Sequence, residues 1–401
     1  MADVFVNSTS RRTGALLVAG VLVQIADPAH GALPTVEPAA TEEVVVTARK
    51  REERLQDVPN VVTTFDAAMI ESAGIAKTSD YMALTPNLTY RDGSDFQSGF
   101  YFISMRGVGN GQDGWPSVTI LVDGVRQTSL AAIDSGQLVD IKRIEVVHGP
   151  QGALYGAGAI AGAVNIITKA PTNDFEGRLK AGYARGDDRS VATMLSGPII
   201  ADKLLYRVNG TYRESDGLIK SASNGIDLDF QRLGQFDGRL IYNATDTLNF
   251  DLRAQLIDEK NGAVYQPKYA VGADLDPAAA AASRAFPGTD DRDLYNASLK
   301  AEWDLGPATL ISVSGWGRVR NQNLSSACWD DPNDPGVVVS NVPGFAVGCL
   351  FNPFLGAFGD AAPPGAPIDQ YFAGKGDYKS LTSDLRLVSN TKGRLQWMLG
   401  A

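Results

Sequence analysis

From Phe175 to its C-terminus the chain alternates apolar and polar residues at period two, in segments close to the length of a membrane-crossing strand. In FEGRLKAGYA, Phe175, Gly177, Leu179, Ala181 and Tyr183 oppose Glu176, Arg178, Lys180 and Gly182. In LLYRVNGTYR, Leu204, Tyr206, Val208 and Tyr212 oppose Arg207, Asn209, Thr211 and Arg213. In LNFDLRAQL, Leu248, Phe250, Leu252, Ala254 and Leu256 oppose Asn249, Asp251, Arg253 and Gln255. Successive side chains of a strand point to opposite faces, so each segment has one apolar and one charged face. The pattern predicts about nine such strands, each of roughly ten residues.

The connections between them alternate in length. Short turns at 197–203, 243–247, 305–307 and 390–393 alternate with mostly longer loops, of which 258–291 and 321–377 are very long. A soluble sandwich would need a polar outer face and evenly short loops. The expectation is therefore a mainly β chain whose second part belongs to a transmembrane antiparallel barrel, with short turns on one side of the membrane and long loops on the other. No run of about 18 apolar residues occurs, which excludes a helical membrane protein.

Upstream, residues 58–172 read as a compact α+β unit. Asp66 is placed to cap a helix over AAMIESA that Gly74 ends. A second helix from near Ser79 to Leu84 is stopped by Pro86, and SVTILVDGV (Ser117 to Val125) and IKRIEVV (Ile141 to Val147) read as strands. Residues 1–31 read as a signal peptide: Arg11 and Arg12 precede an apolar run from Gly14 to Ala26, with Ala29 and Gly31 permitting cleavage. Export would place Cys328 and Cys349 in an oxidising compartment, where they either close a local disulfide or remain a free pair.

Composition removes several functions. A formal charge of −10 repels nucleic acid. Two histidines and two cysteines without zinc-ligand spacing give no protein-built metal site, and no cofactor is expected. The stretch HGPQGALYGAGAIAGAVN (His148 to Asn165) does contain G-x-G-x-x-A at Gly156, Gly158 and Ala161. A dinucleotide fingerprint needs that turn between a strand and a long helix, whereas here VNIIT, a strand, follows. A P-loop lysine is missing as well, so close backbone approach is the better account of these glycines.

Four segments in linked order carry a resemblance: EEVVVTARKREERLQDVPNVVTTFD (Glu42 to Asp66), ISMRGVG (Ile103 to Gly109), VTILVDGV (Val118 to Val125) and IKRIEVVHGPQGALYGAGAIAGAVNIITKAP (Ile141 to Pro171). Together they resemble the plug domain of the TonB-dependent outer-membrane receptors. That resemblance implies a plug at 58–172 inside a barrel of about 22 strands, whose first part would be residues 173–401. It also implies a periplasmic tether at 32–57 containing a TonB box, which EVVVTA (Glu43, Val44, Val45, Val46, Thr47, Ala48) resembles. A β-branched, extended segment outside the plug can add as a strand to a partner's sheet edge. An ordinary first strand of the plug is the alternative for the same residues.

Two departures from the family pattern stand out. His148-Gly149-Pro150 occupies the place of R-G-P, so one plug–barrel ion pair is forgone, while Arg106 keeps the M-R-G position and is the expected ion-pair residue. About nine strands do not close such a barrel, so a piece of a longer receptor is expected.

The implied function is energy-coupled import of a scarce solute across the outer membrane, with a TonB-type protein, outer-membrane lipid and the solute as partners and no enzymatic step. The usual cargo of the family is a ferric siderophore, with haem, cobalamin and glycans as other cargoes. Ligand-binding candidates by resemblance are Tyr90, Arg91, Phe96, Phe100 and Arg126. The competing readings are a non-functional truncated receptor, a passive porin or surface-binding protein, and an NAD-dependent enzyme.

Overall fold

The structure is a computed structural model, and it describes residues 2–7, 45–47, 50–51, 53–92, 101–109, 117–127, 136–156, 158–220, 225–262, 288–326, 371–391 and 395–401. The first strands are β1 (Ala2–Asn7), β2 (Val45–Val46) and β3 (Glu53–Arg54). The plug strands follow as β4 (Val62–Asp66), β5 (Leu88–Asp92), β6 (Tyr101–Met105), β7 (Val108–Gly109), β8 (Val118–Val122), β9 (Val125–Arg126), β10 (Ile141–His148) and β11 (Gly162–Thr168). The barrel strands are β12 (Glu176–Ala184), β13 (Asp188–Ile200), β14 (Leu204–Ser215), β15 (Gln231–Asn243), β16 (Leu248–Gly262), β17 (Thr289–Asp304), β18 (Ala308–Ser326), β19 (Tyr371–Ser389) and β20 (Met398–Gly400).

Two sheets organise the molecule. The plug sheet has the order β4-β10-β11-β8-β9, antiparallel except for the parallel pair β11–β8. Its centre, β10 and β11, is buried almost throughout, as the run of Ile144, Val146, Val147, Val164 and Ile166 requires. Ile144, Val146 and Ile166 pack with Phe65, Tyr81, Met82, Ile103 and Met105 into one core. The expected helices form at Ala67–Ser72 and Thr78–Ala83. Asp66 caps the first by accepting from Met69 N at 2.7 Å, and Gly74 follows its end at φ 68°.

The second sheet runs β12 to β20 in sequence order, every neighbour antiparallel. Its two faces match the alternation. Leu179, Val191, Leu195, Tyr212, Phe236, Leu252, Leu256, Leu299 and Leu385 are exposed on the outside, whereas Arg207, Asn209, Thr211, Gln235 and Asp251 are buried on the inside. An inverted sheet of this kind has apolar residues outward because lipid, not water, is its solvent.

Strands β13 to β19 run from 12 to 19 residues, longer than expected. β16 reaches Gly262 and β18 reaches Ser326, so the long loops start later than the sequence suggested. The polar ends of these strands keep pairing because the ladder is made by backbone, whatever the side chains. The turn after β13 is likewise shorter, since Gly197 to Ile200 are still in the strand. Of the residues expected to form a signal peptide, Ala2–Asn7 pair antiparallel with β12, and the rest lie outside the described residues. Cys328 and Cys349 also lie outside them. No helix among the described residues is long and apolar enough to cross a membrane.

Candidate functional site

The glycine stretch is a crossing, and its geometry excludes a nucleotide cradle. A one-turn helix, Gly152–Tyr155, is closed by Gly156 at φ 75°, and strand β11 follows. At Gly162 a Cβ would run into Met105 Sδ and the Val147 carbonyl, so only glycine lets β11 pass there. The loop folds back on the plug through Gly149 N to Ala161 O at 2.9 Å and Gln151 N to Ala159 O at 2.8 Å.

The segment expected to be a tether is docked on the plug rather than free. Val45–Val46 pairs antiparallel with Glu53–Arg54, and Val46 is fully buried against Val58 and Val147. Thr47 donates its backbone N–H to Glu145 Oε1 at 2.8 Å and its hydroxyl to Oε2 at 3.0 Å. Asn165 Nδ2 donates to Thr47 Oγ1 at 2.8 Å, and Tyr155 OH donates to the Thr47 carbonyl at 3.4 Å. Glu145 is itself fully buried and accepts from Arg143 Nε at 2.7 Å. Burial and the Glu145 carboxylate push the Tyr155 phenol well above its usual range. The EVVVTA segment therefore lies on the plug through at least Val45, Val46 and Thr47, while Glu43, Val44 and Ala48 lie outside the described residues. No local pattern signals this contact, because Glu145 is 98 residues away.

Just beyond EVVVTA, Lys50 and Arg51 also touch the barrel. Lys50 pairs with Asp384 of β19 and stands 5.8 Å over the Tyr155 ring. Arg386 Nη1 donates to the Lys50 carbonyl at 3.2 Å, and Arg51 Nη1 donates to Gln396 at 2.9 Å.

Plug and wall meet through charges the sequence reading did not single out. Arg207 of β14 holds Asp140 through Nε and through Nη2 at 2.7 Å, and Glu176 through Nη1 at 3.1 Å. Arg253 of β16 pairs with Asp123 and donates to Thr168 Oγ1 at 2.9 Å. Asp251 receives Arg239 at 3.0 and 2.7 Å and Arg253 Nη2 at 3.1 Å. Higher on the wall, Gln137 N donates to Gln235 Oε1 at 2.8 Å and Gly136 N to Glu259 Oε2 at 3.2 Å. These contacts border a cavity of about 170 Å³ between the plug and strands β14 to β19, lined also by Arg126, Asn209, Asp237 and Trp316.

The expected ion pair of Arg106 is not found among the described residues. Its backbone, at φ 53°, is fixed by Arg106 N to Asn87 O at 2.8 Å in an exposed turn, with the guanidinium beside Gly149. His148 is buried and hydrogen-bonds Thr63 Oγ1 through Nε2 at 3.1 Å. Burial and Arg106 hold its imidazole below the ordinary value.

The described ligand candidates lie on two different sheets of the plug. Tyr90 lies opposite Ile103 in the β5–β6 pair and packs on the plug core. Arg126 lines the cavity, and desolvation lowers its guanidinium from the usual range. Arg91 pairs with Phe102 through its backbone, while Phe96 and Phe100 lie outside the described residues.

Comparison with known proteins agrees with this architecture. Residues 54–163 match the family described as TonB-dependent Receptor Plug Domain. The pesticin receptor of Yersinia pestis is 34% identical over 205 residues, covering 49% of this chain and 30% of that receptor. A probable TonB-dependent siderophore receptor of Acinetobacter baumannii, PirA, is 27% identical over 319 residues, covering 72% of this chain and 40% of that protein. Among solved structures, the ferric yersiniabactin uptake receptor FyuA from Yersinia pestis superposes with a TM-score of 0.66 at 21% identity, covering 85% of this chain and 47% of that one. The FpvAI chain of a pyocin S2 complex gives 0.64 at 16% identity, over 89% of this chain and 44% of that one. At such identities the structural likeness is one of fold. This chain thus spans less than half the length of each of these four proteins.

Proposed function

We propose that this chain is part of a TonB-dependent receptor of the outer membrane, which binds a scarce solute at the cell surface and imports it when a TonB-type partner engages Glu43 to Ala48. The observation that carries this reading is the docked tether. Val45–Val46 already forms a strand with Glu53–Arg54, so a partner adding a strand at the same backbone competes with that pairing. Undocking exposes Val46, at a cost of about 1.5–3 kcal/mol, and breaks hydrogen bonds to a carboxylate worth roughly 1.5–3 kcal/mol. Energy delivered by the partner is spent on that release, which makes the dock a coupling point between tether and plug.

At about 170 Å³ the gap between the plug and strands β14 to β19 is smaller than the roughly 300–1,000 Å³ of ordinary ligand sites, so a bulky solute does not fit there while the plug keeps this position. We assign the solute to the ferric siderophore class, on the similarity to siderophore and ferric yersiniabactin receptors. A chelate supplies its own donor atoms to iron, so the protein needs shape and complementary charge rather than metal ligands. Arg126 on the cavity wall is the cation best placed to meet an anionic chelate, with Arg91, Tyr90, Phe96 and Phe100 as further candidates. Cys328 and Cys349, in the long segment between β18 and β19, are proposed to pair on the cell-surface side.

Radio-iron accumulation from a panel of ferric chelates, measured beside haem and cobalamin in iron-starved cells, tests the assignment. Accumulation from at least one chelate that disappears with Arg126→Ala supports it. Uptake of haem or cobalamin alone overturns the substrate class, and ligand binding without accumulation overturns import.

A further inference from the structure

The two plug carboxylates that reach the barrel wall share an uncommon backbone. Asp123 sits at φ 51° and Asp140 at φ 57°, a left-handed region that aspartate tolerates better than most residues. Asp123 and Gly124, at φ 86°, form the two-residue connection between β8 and β9, where positive φ at both positions matches the twist of the hairpin. Asp140 immediately precedes β10, and Thr168 ends β11. The sheet order β4-β10-β11-β8-β9 brings these three chain positions to one end of the plug. They are tied there to one another: Asp123 accepts from Thr168 N at 3.0 Å and Thr168 Oγ1 at 2.8 Å, and Lys169 N donates to Asp140 O at 2.9 Å.

Three adjacent strands of the wall present arginines from their inner face at the same level: Arg207 on β14, Arg239 on β15 and Arg253 on β16. Arg239 and Arg253 share a single wall carboxylate, Asp251, which leaves one positive charge that Asp123 balances. Arg207 is 4% exposed and uses its fork for Asp140 and its remaining nitrogen for Glu176. A buried guanidinium that loses its carboxylate is strongly penalised, so these contacts define one position of the plug and disfavour its neighbours.

We infer that this arginine row is a keyed seat, in which Asp123 and Asp140 are positioning residues that register the plug on β14–β16 and seal the short-turn end of the cavity. The polarity is the reverse of the Arg106 pair expected from sequence: here the plug supplies the carboxylates and the wall the cations. The cavity lining contains both aspartates and all three arginines, and Arg207 lies near the start of β14, just after the short turn that follows β13. The biological use of the seal rests on the import reading. Its existence does not, because a leak is measurable without ligand or partner.

The test is permeability of the native receptor, purified from outer membranes and placed in liposomes, to a small neutral sugar. Asp123→Asn with Asp140→Asn raises the leak at least several-fold, at unchanged outer-membrane abundance. The charge-exchanged pair Asp140→Arg with Arg207→Asp leaks less than either single change. If the neutral pair does not assemble, Arg207→Lys, which keeps the charge but loses the planar fork, takes its place and gives a measurable leak. A neutral pair, or Arg207→Lys, that is as tight as wild type overturns the inference, as does an exchanged pair that leaks as much as the single changes. A tight seal in a receptor that fails to accumulate any solute would leave the seat standing and remove the import reading instead.

Discussion

Thr47 and Glu145, 98 residues apart, are joined by two hydrogen bonds in which a threonine of the tether gives its N–H and its hydroxyl to one fully buried carboxylate. The pair connects the segment proposed to meet a partner to β10, an inner strand of the plug sheet. It also explains why a glutamate is tolerated in the buried strand β10: its charge is satisfied by Thr47, Arg143 and Asn165.

Thr47→Ala removes the hydroxyl contact and leaves Glu145 one donor short. Loss of a hydrogen bond to a charged group amounts to about 1.5–3 kcal/mol, or roughly a tenfold to hundredfold rise in the undocked fraction. Spin-label mobility at Val45→Cys reports it. Unchanged mobility in the Thr47→Ala background would show that the valines alone hold the tether.

Lys50 and Asp384 form a partly exposed pair between tether and wall, so their coupling is predicted to be small, about 1 kcal/mol or less. A double-mutant cycle of Lys50→Ala and Asp384→Asn on the same spin-label readout measures it. A coupling of several kcal/mol would make the wall, rather than the plug, the main anchor of the tether.

The His148 imidazole is held below its ordinary value of 6.5 by burial and by Arg106. As pH falls below about 6.5 the unfolded plug takes up a proton that the folded plug refuses, so stability present above that pH is progressively lost. Hydrogen exchange of the β10–β11 amides at about pH 5.5 and 7.5 follows the loss. His148→Gln is predicted to flatten this pH dependence, and an unaltered slope would assign it to other groups.

Gly162→Val places side-chain atoms against Met105 and the Val147 carbonyl. Overpacking of this kind costs about 1–3 kcal/mol, and a backbone obstruction lies at the upper end. Reduced protease resistance of the plug is the expected readout. A fully stable Gly162→Val receptor would mean that the β10–β11 crossing has room the structure does not show.

Much of this was legible from local pattern. The inside–outside partition of the barrel follows from period two, since Leu204 and Tyr206 face away from Arg207 and Asn209 in any strand. The helix beginning after Asp66 and ending at Gly74 follows from its caps. Strand ends were not legible, because the polar residues Asp258 to Gly262 extend a backbone ladder that hydrophobicity does not mark. Arg207 and Arg253 were visible as members of a polar face, yet their partners Asp140 and Asp123 are assigned only by the folded juxtaposition of plug and wall. The same holds for Thr47: nothing within EVVVTA points to Glu145.

The proposed coupling runs from an external partner through the tether to import. Its most direct test is radio-iron uptake from ferric chelates in cells carrying the receptor with Glu43 to Ala48 deleted, beside chelate binding at the cell surface at low temperature. Surface binding is expected to stay close to wild type, with uptake reduced to the level of cells lacking the receptor. Uptake that continues unchanged without these six residues would contradict it and describe a passive pore.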